Sequence, residues 1–147
     1  METLAGAVRS LKFSRSGAHL FSGNETGQIV VFDVAQAQAI DIIQTCQARA
    51  VWSLDLSWDD QVLAAGTEDA TIELYSVARI LSQPPKQQLE QGRTLTGKSA
   101  SPAFLKVFKT KTNGVILTQF TWRNMLYAVG CWIERTLRSA PRQPGSP

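Results

Sequence analysis

The residues that could carry out chemistry are few, and their spacing restricts what they can do. The chain has 147 residues and one histidine, His19, so Ser–His–Asp, Cys–His and multi-histidine metal sites cannot be assembled from their usual parts. His19 stands just before an apolar run and reads as a turn-edge residue. The carboxylate pairs Asp59-Asp60 and Glu68-Asp69 have the composition of paired-acid catalysis, but both fall between apolar runs. Asp and Asn favour such places because their side chains bond the local backbone, so these acids read as turn formers. Gly23, Gly27, Gly92 and Gly97 fit neither a dinucleotide nor a nucleoside-triphosphate loop pattern. Cys46 and Cys131 lie outside any paired spacing, as free thiols suited to a reducing compartment. The expectation is a non-enzyme with no catalytic residue, metal or cofactor.

What remains is contact chemistry. Of four tryptophans, Trp58 and Trp122 each follow a hydroxyl residue, Ser57 or Thr121, at a strand-to-strand turn. A large aromatic there either packs between neighbouring units or anchors a partner. Trp58, Trp122 and the adjacent Arg123 are the candidate protein-binding residues. The packing reading comes first for all four tryptophans, Trp52 and Trp132 included, with Trp58 and Trp122 the better contact candidates.

The elements that must position them come from an internal repeat. Val8–Ala35 and Val51–Ala78 align without a gap, with about ten of roughly 28 columns identical. A weaker third copy starts at Val115, with Phe120, Thr121 and Gly130 in the places of Phe13, Ser14 and Gly23. Within a copy the apolar period is two, as in the alternation of Arg9, Leu11 and Phe13 with Val8, Ser10 and Lys12, which predicts half-buried strands. Turns are expected at Ser14–Gly17 and Ser57–Asp60, then at Asn24–Gly27 and Thr67–Ala70. A fourth strand is expected over Ala39–Cys46, rich in β-branched residues. Each copy is a four-stranded antiparallel meander that must stack against its neighbours to bury both faces.

These residues resemble a known family. The pattern V-x-x-L-x-F-S-x-x-G-x-x-L-x-S-G-x-x-x-G-x-I-x-V-F-D looks like a WD repeat, with Phe32-Asp33 for the usual Trp-Asp and Tyr75-Ser76 in the second copy. Cys46-Gln47 occupies the usual Gly-His position, and the turn aspartate is Thr26 in the first copy and Asp69 in the second. The family's buried Asp–His–Ser–Trp network is therefore expected to be incomplete. The order of features in the C-terminal half is similar to the WD-repeat TBP-associated factors of TFIID, whose close relatives serve in SAGA. After a long spacer come Thr110-Lys111-Thr112, Phe120-Thr121, Arg123-Asn124 and Ala128-Val129-Gly130.

The resulting expectation is an all-β, partial WD-repeat β-propeller: about two four-stranded antiparallel blades plus half of a third. It spans 1–134, with repeats at about 7–46, 51–109 (interrupted by a loop at 78–102) and 115–130, and then a disordered tail at 135–147. The resemblance implies a nuclear scaffold of RNA polymerase II transcription initiation that docks histone-fold TBP-associated factors. A WD-repeat adaptor of another pathway, such as ubiquitin ligation or signalling, is the alternative. The net charge of +3 is concentrated late in the chain and reads as a solvated basic rim, not a surface for sequence-specific nucleic-acid binding. No run approaches the ~18 apolar residues of a membrane span, and METLAGAVRSLKF lacks a signal-peptide core, so a soluble intracellular fragment of a larger propeller is expected.

Overall fold

The computed structural model describes residues 6–82, 101–111 and 114–131. Unit 1 is an antiparallel sheet of β1 (Val8–Phe13), β2 (His19–Asn24), β3 (Gln28–Asp33) and β4 (Gln38–Gln44), in sequence order. Unit 2 repeats it with β5 (Val51–Leu56), β6 (Val62–Thr67), β7 (Thr71–Ser76) and β8 (Phe104–Lys109). Unit 3 has β9 (Val115–Phe120) and β10 (Leu126–Gly130) among the described residues. This is a partial propeller of two four-stranded sheets and half of a third, as the repeat predicts. β4 closes at Gln44, two residues earlier than expected: Thr45 N–H makes the last rung, to Gly27 O (2.9 Å), and Cys46 N–H leaves the ladder for the Glu73 carboxylate.

The first part of the expected loop at 78–102 is a short helix, α1 (Val77–Leu81), capped by Ser76. Its Ile80 is buried in the same apolar cluster as Leu56, Val77 and Ala103, so the segment packs even though its composition suggests a loop. Residues 83–100 of that loop, Thr112, Trp132 and the tail at 135–147 lie outside the described residues.

A shared defect orients every unit. The β1–β2, β5–β6 and β9–β10 ladders each skip one residue at the start of the first strand, at Arg9, Trp52 and Ile116. A bulge of this kind twists the strand and turns the extra side chain out of the ladder. The residue before it, Val51 or Val115, packs on the second-strand glycine of the preceding unit. A Cβ on Gly23 would stand 2.6 Å from Val51, and one on Gly66 2.7 Å from Val115. Small residues in that column are what bring the sheets together.

Unit 3 departs from the predicted alignment. Leu126 pairs with Phe120 as Leu63 does with Leu56, but the intervening turn is one residue shorter. Val129, not Gly130, therefore falls opposite Leu117, the column that holds Gly23 and Gly66. Gly130 moves to the place of Asn24 and Thr67.

Burial depends on stacking. Val51, Leu54 and Leu56 of β5 are 0, 7 and 6% exposed, whereas Val8, Leu11 and Phe13 in the same columns of β1 are 54, 59 and 55% exposed. The expected half-burial of β1 is not realised, because a sheet of this kind is covered by its neighbour and no described residue lies over that face. At the other end, Ile72, Leu74 and Phe108 of unit 2 and Phe120, Leu126 and Ala128 of unit 3 line a cleft of about 480 Å³.

An uncovered apolar face of this kind promotes self-association. Sedimentation velocity on the isolated chain is expected to show concentration-dependent association, and Leu11→Lys with Phe13→Lys to shift it towards monomer. A wild-type chain that stays monomeric and melts cooperatively would overturn this expectation.

Candidate protein-interaction site

Three equivalent turns form one rim. Ser14, Ser57 and Thr121 open them. Each accepts, at its carbonyl, the N–H of the residue three positions on: Gly17 (2.9 Å), Asp60 (2.9 Å) and Asn124 (3.0 Å). Those three residues have positive φ (73°, 54° and 56°), which Gly, Asn and Asp tolerate best. In unit 2, Ser57 Oγ donates to Asp59 Oδ1 (2.6 Å) and also accepts from Val62 N–H (2.9 Å). That hydroxyl, and next the Gln61 N–H, hold the Asp59 carboxyl below its usual range.

The turns are latched to one another. Asp60 Oδ2 accepts from Arg15 N–H of unit 1 (2.9 Å), and Asn124 Oδ1 accepts from Trp58 N–H of unit 2 (2.7 Å). Trp58 and Trp122 stand side by side in sequence register on this rim, 53% and 66% exposed. The Arg15 guanidinium lies 3.7 Å from the Trp58 ring centroid, and Arg123 lies 4.3 Å from that of Trp122. All three predicted residues are thus on one edge. Of the residues that organise that edge, Asp60 was read as a turn former, and the inter-turn bonds of Arg15, Asp60 and Asn124 were not foreseen from the sequence. The signal was present in the repeat columns Arg15/Trp58/Trp122 and Gly17/Asp60/Asn124.

Beneath the rim a single carboxylate joins the three inner strands. Asp55, buried in the middle of β5, takes Lys12 Nζ of β1 at 2.6 Å and the Phe120 N–H of β9 at 2.5 Å. Lys12, Asp55 and Gln119 occupy one column of the repeat, and Gln119 accepts from Tyr127 OH (2.6 Å).

The family's buried network is replaced, not merely truncated. In unit 1, Asn24 Oδ1 accepts from Thr26 N–H (3.1 Å), Thr26 Oγ1 (2.9 Å) and Gln28 N–H (2.8 Å). In unit 2 the acceptor moves two residues on: Asp69 takes the Thr67 hydroxyl and Thr71 Oγ1 (2.9 Å). Glu73, buried on β7, accepts from Tyr75 OH and from Cys46 N–H (3.1 Å), at the linker where the family has Gly-His. Burial first, and then the Glu73 charge, push both the Tyr75 hydroxyl and the Cys46 thiol up, the thiol to about 11. His19 opens β2, half-buried, with its N–H on Ser14 Oγ (3.0 Å). Among the described residues no three His, Cys, Asp or Glu side chains gather as a metal site, and no helix is long and apolar enough to cross a membrane.

Comparison with known proteins agrees with this geometry. Residues 2–33 and 41–76 match the WD domain, G-beta repeat family. Transcription initiation factor TFIID subunit 5 of Caenorhabditis elegans is 26% identical over 131 residues, 86% of this chain and 19% of its own length. U3 small nucleolar RNA-associated protein 12 of Saccharomyces cerevisiae is 31% identical over 70 residues, 48% of this chain and 7% of its own. Protein SPA1-RELATED 3 of Arabidopsis thaliana is 34% identical over 61 residues, 41% of this chain and 7% of its own. The chain thus spans less than a fifth of each of these relatives.

Two outcomes are expected. Asp55→Ala should lower unfolding free energy by roughly 2 kcal/mol in urea melts, because it leaves a part-buried N–H and a half-exposed ammonium without their partner. Asp55→Asn should retain part of that. A thiol pKa raised from 9.0 to about 11 keeps Cys46 protonated below pH 9, and the stability linked to it is lost as pH rises through 11. At pH 8 its thiolate fraction is therefore well below that of an ordinary cysteine. Disulfide-exchange labelling in a Cys131→Ser background should be correspondingly slow.

Proposed function

We propose, from the WD-repeat match of residues 2–33 and 41–76, that the chain is a non-enzymatic scaffold of RNA polymerase II transcription initiation, acting in the nucleus with TFIID- or SAGA-type assemblies. The observation that carries this reading is the extent of one likeness. The match to TFIID subunit 5 covers 86% of the chain and therefore takes in more than the repeats, whereas the other two relatives match 48% and 41% of it. A repeat matches many unrelated proteins, so agreement outside the repeats carries the more specific information. The names of two relatives, a transcription initiation factor and a small nucleolar RNA-associated protein, also support a nuclear setting.

In this reading the propeller portion runs through residue 134, followed by a tail at 135–147, and the partners are histone-fold TBP-associated factors. They dock on the turn rim through Trp58, Trp122 and Arg123. Both indoles present an apolar face with a guanidinium over it, the amphipathic surface that anchors protein contacts. The rim is held from behind by the Asp60 and Asn124 latches, so little ordering is left to be done on binding. A WD-repeat adaptor of another pathway is the second reading, supported by relatives of higher identity but shorter span.

Affinity purification of the tagged chain from nuclear extract, with quantitative mass spectrometry, separates the two. Enrichment of histone-fold subunits of TFIID or SAGA is expected; enrichment of ubiquitin-ligase or kinase components in their place would select the adaptor. Trp58→Ala and Trp122→Ala should each weaken capture by about tenfold while shifting the melting temperature little. A large fall in melting temperature would mark them as packing residues.

A further inference from the structure

We propose a second binding site, on the rim opposite the turns: a cleft between units 1 and 2 that takes an arginine side chain of a partner peptide between the Trp52 indole and the Glu68 carboxylate. The cleft holds about 450 Å³ and is lined by Arg9, Glu25, Ala50, Trp52 and Glu68. It stands independently of the transcription reading.

The repeat itself supplies the argument. Arg9 and Trp52 are the bulge residues of units 1 and 2, turned out of their ladders at the same place. Glu25 and Glu68 also share a column, and their backbones are tied in the same way: Glu25 N–H to Ala7 O and Glu68 N–H to Ala50 O, both at 3.0 Å. In unit 1 the bulge residue supplies the counter-charge, with Arg9 Nη2 3.1 Å from Glu25 Oε2. Unit 2 keeps the carboxylate but puts an indole where the guanidinium was. No described Lys or Arg lies within ion-pair distance of Glu68. In unit 3 the same columns hold Ile116 and Cys131, so the pairing of indole and carboxylate is particular to unit 2.

An indole face beside a carboxylate is complementary to a cation, and a planar guanidinium can stack on the ring while donating to the carboxylate. Trp52 is 45% exposed, so its ring is available. Arg9 is engaged by Glu25, whose carboxyl is held below its usual range by the Ala7 backbone and then by Arg9 itself. One positive and two negative side chains leave the cleft with one net negative charge, which favours a basic peptide and disfavours phosphate.

The test uses the full chain and a fluorescein-labelled hexapeptide with one central arginine, followed by anisotropy. Its twin carries citrulline, which keeps the shape and removes the charge. Saturable binding is expected for the arginine peptide, at least tenfold weaker for the citrulline peptide. Glu68→Gln and Trp52→Ala should each cost tenfold or more with melting temperature unchanged. A chain that does not bind the arginine peptide, or binds both peptides equally, or is insensitive to Glu68→Gln at unchanged melting temperature, overturns the proposal. Should Trp52→Ala unfold the chain, Glu68→Gln, at an exposed position, still decides it.

Discussion

One buried carboxylate organises the assembly. Asp55 sits where three inner strands meet, and it engages an ammonium from one neighbour and a backbone N–H from the other. A desolvated charge is costly unless both sides of it are satisfied, so its position is acceptable only when units 1 and 3 are both in place. The apolar contacts between units are broad and non-directional, and on their own they would tolerate sliding. The carboxylate does not: one residue of slippage in β1 or β9 leaves it unmatched. Stacking of the units is thus set by area in strength and by Asp55 in register.

The turn rim repeats the same logic near the surface. Each latch takes an N–H from one turn and an oxygen from the next, and the oxygen comes from a residue already fixed by its positive φ. The requirement for a left-handed turn residue and the requirement for an inter-unit acceptor are met by the same side chain. Where unit 1 has Gly17, the conformation is kept and the acceptor is not. The unit 2 turn, which donates one latch and accepts the other, is the one held from both sides, and Trp58 stands on it.

The strands, their order and the two complete units were legible in the sequence because the 43-residue period keeps apolar columns in register. Trp58, Trp122 and Arg123 could be placed on one edge for the same reason. The turn in unit 3 was not: a gapless alignment assigned Gly130 to the glycine column, and only strand pairing reveals the missing turn residue that moves Val129 there. The exposure of Leu11 and Phe13 was hidden as well, since alternation marks a face as apolar without saying what covers it. Helix α1 escaped notice because five residues are too few to display a helical period. Asp55 and Glu73 read as ordinary polar positions of alternating strands, and their roles depend on partners far away in sequence.

The valine in the glycine column makes the third unit's stacking surface unlike the other two. Units 1 and 2 each offer a neighbour a flat glycine to lie on, whereas unit 3 offers a branched side chain at that point. A duplication of the first repeat in tandem would recreate every close approach between sheets, so the array can grow from within. A unit stacked on unit 3 would meet Val129 in place of a glycine, so its inner strand would sit farther out at that point than Val51 and Val115 do.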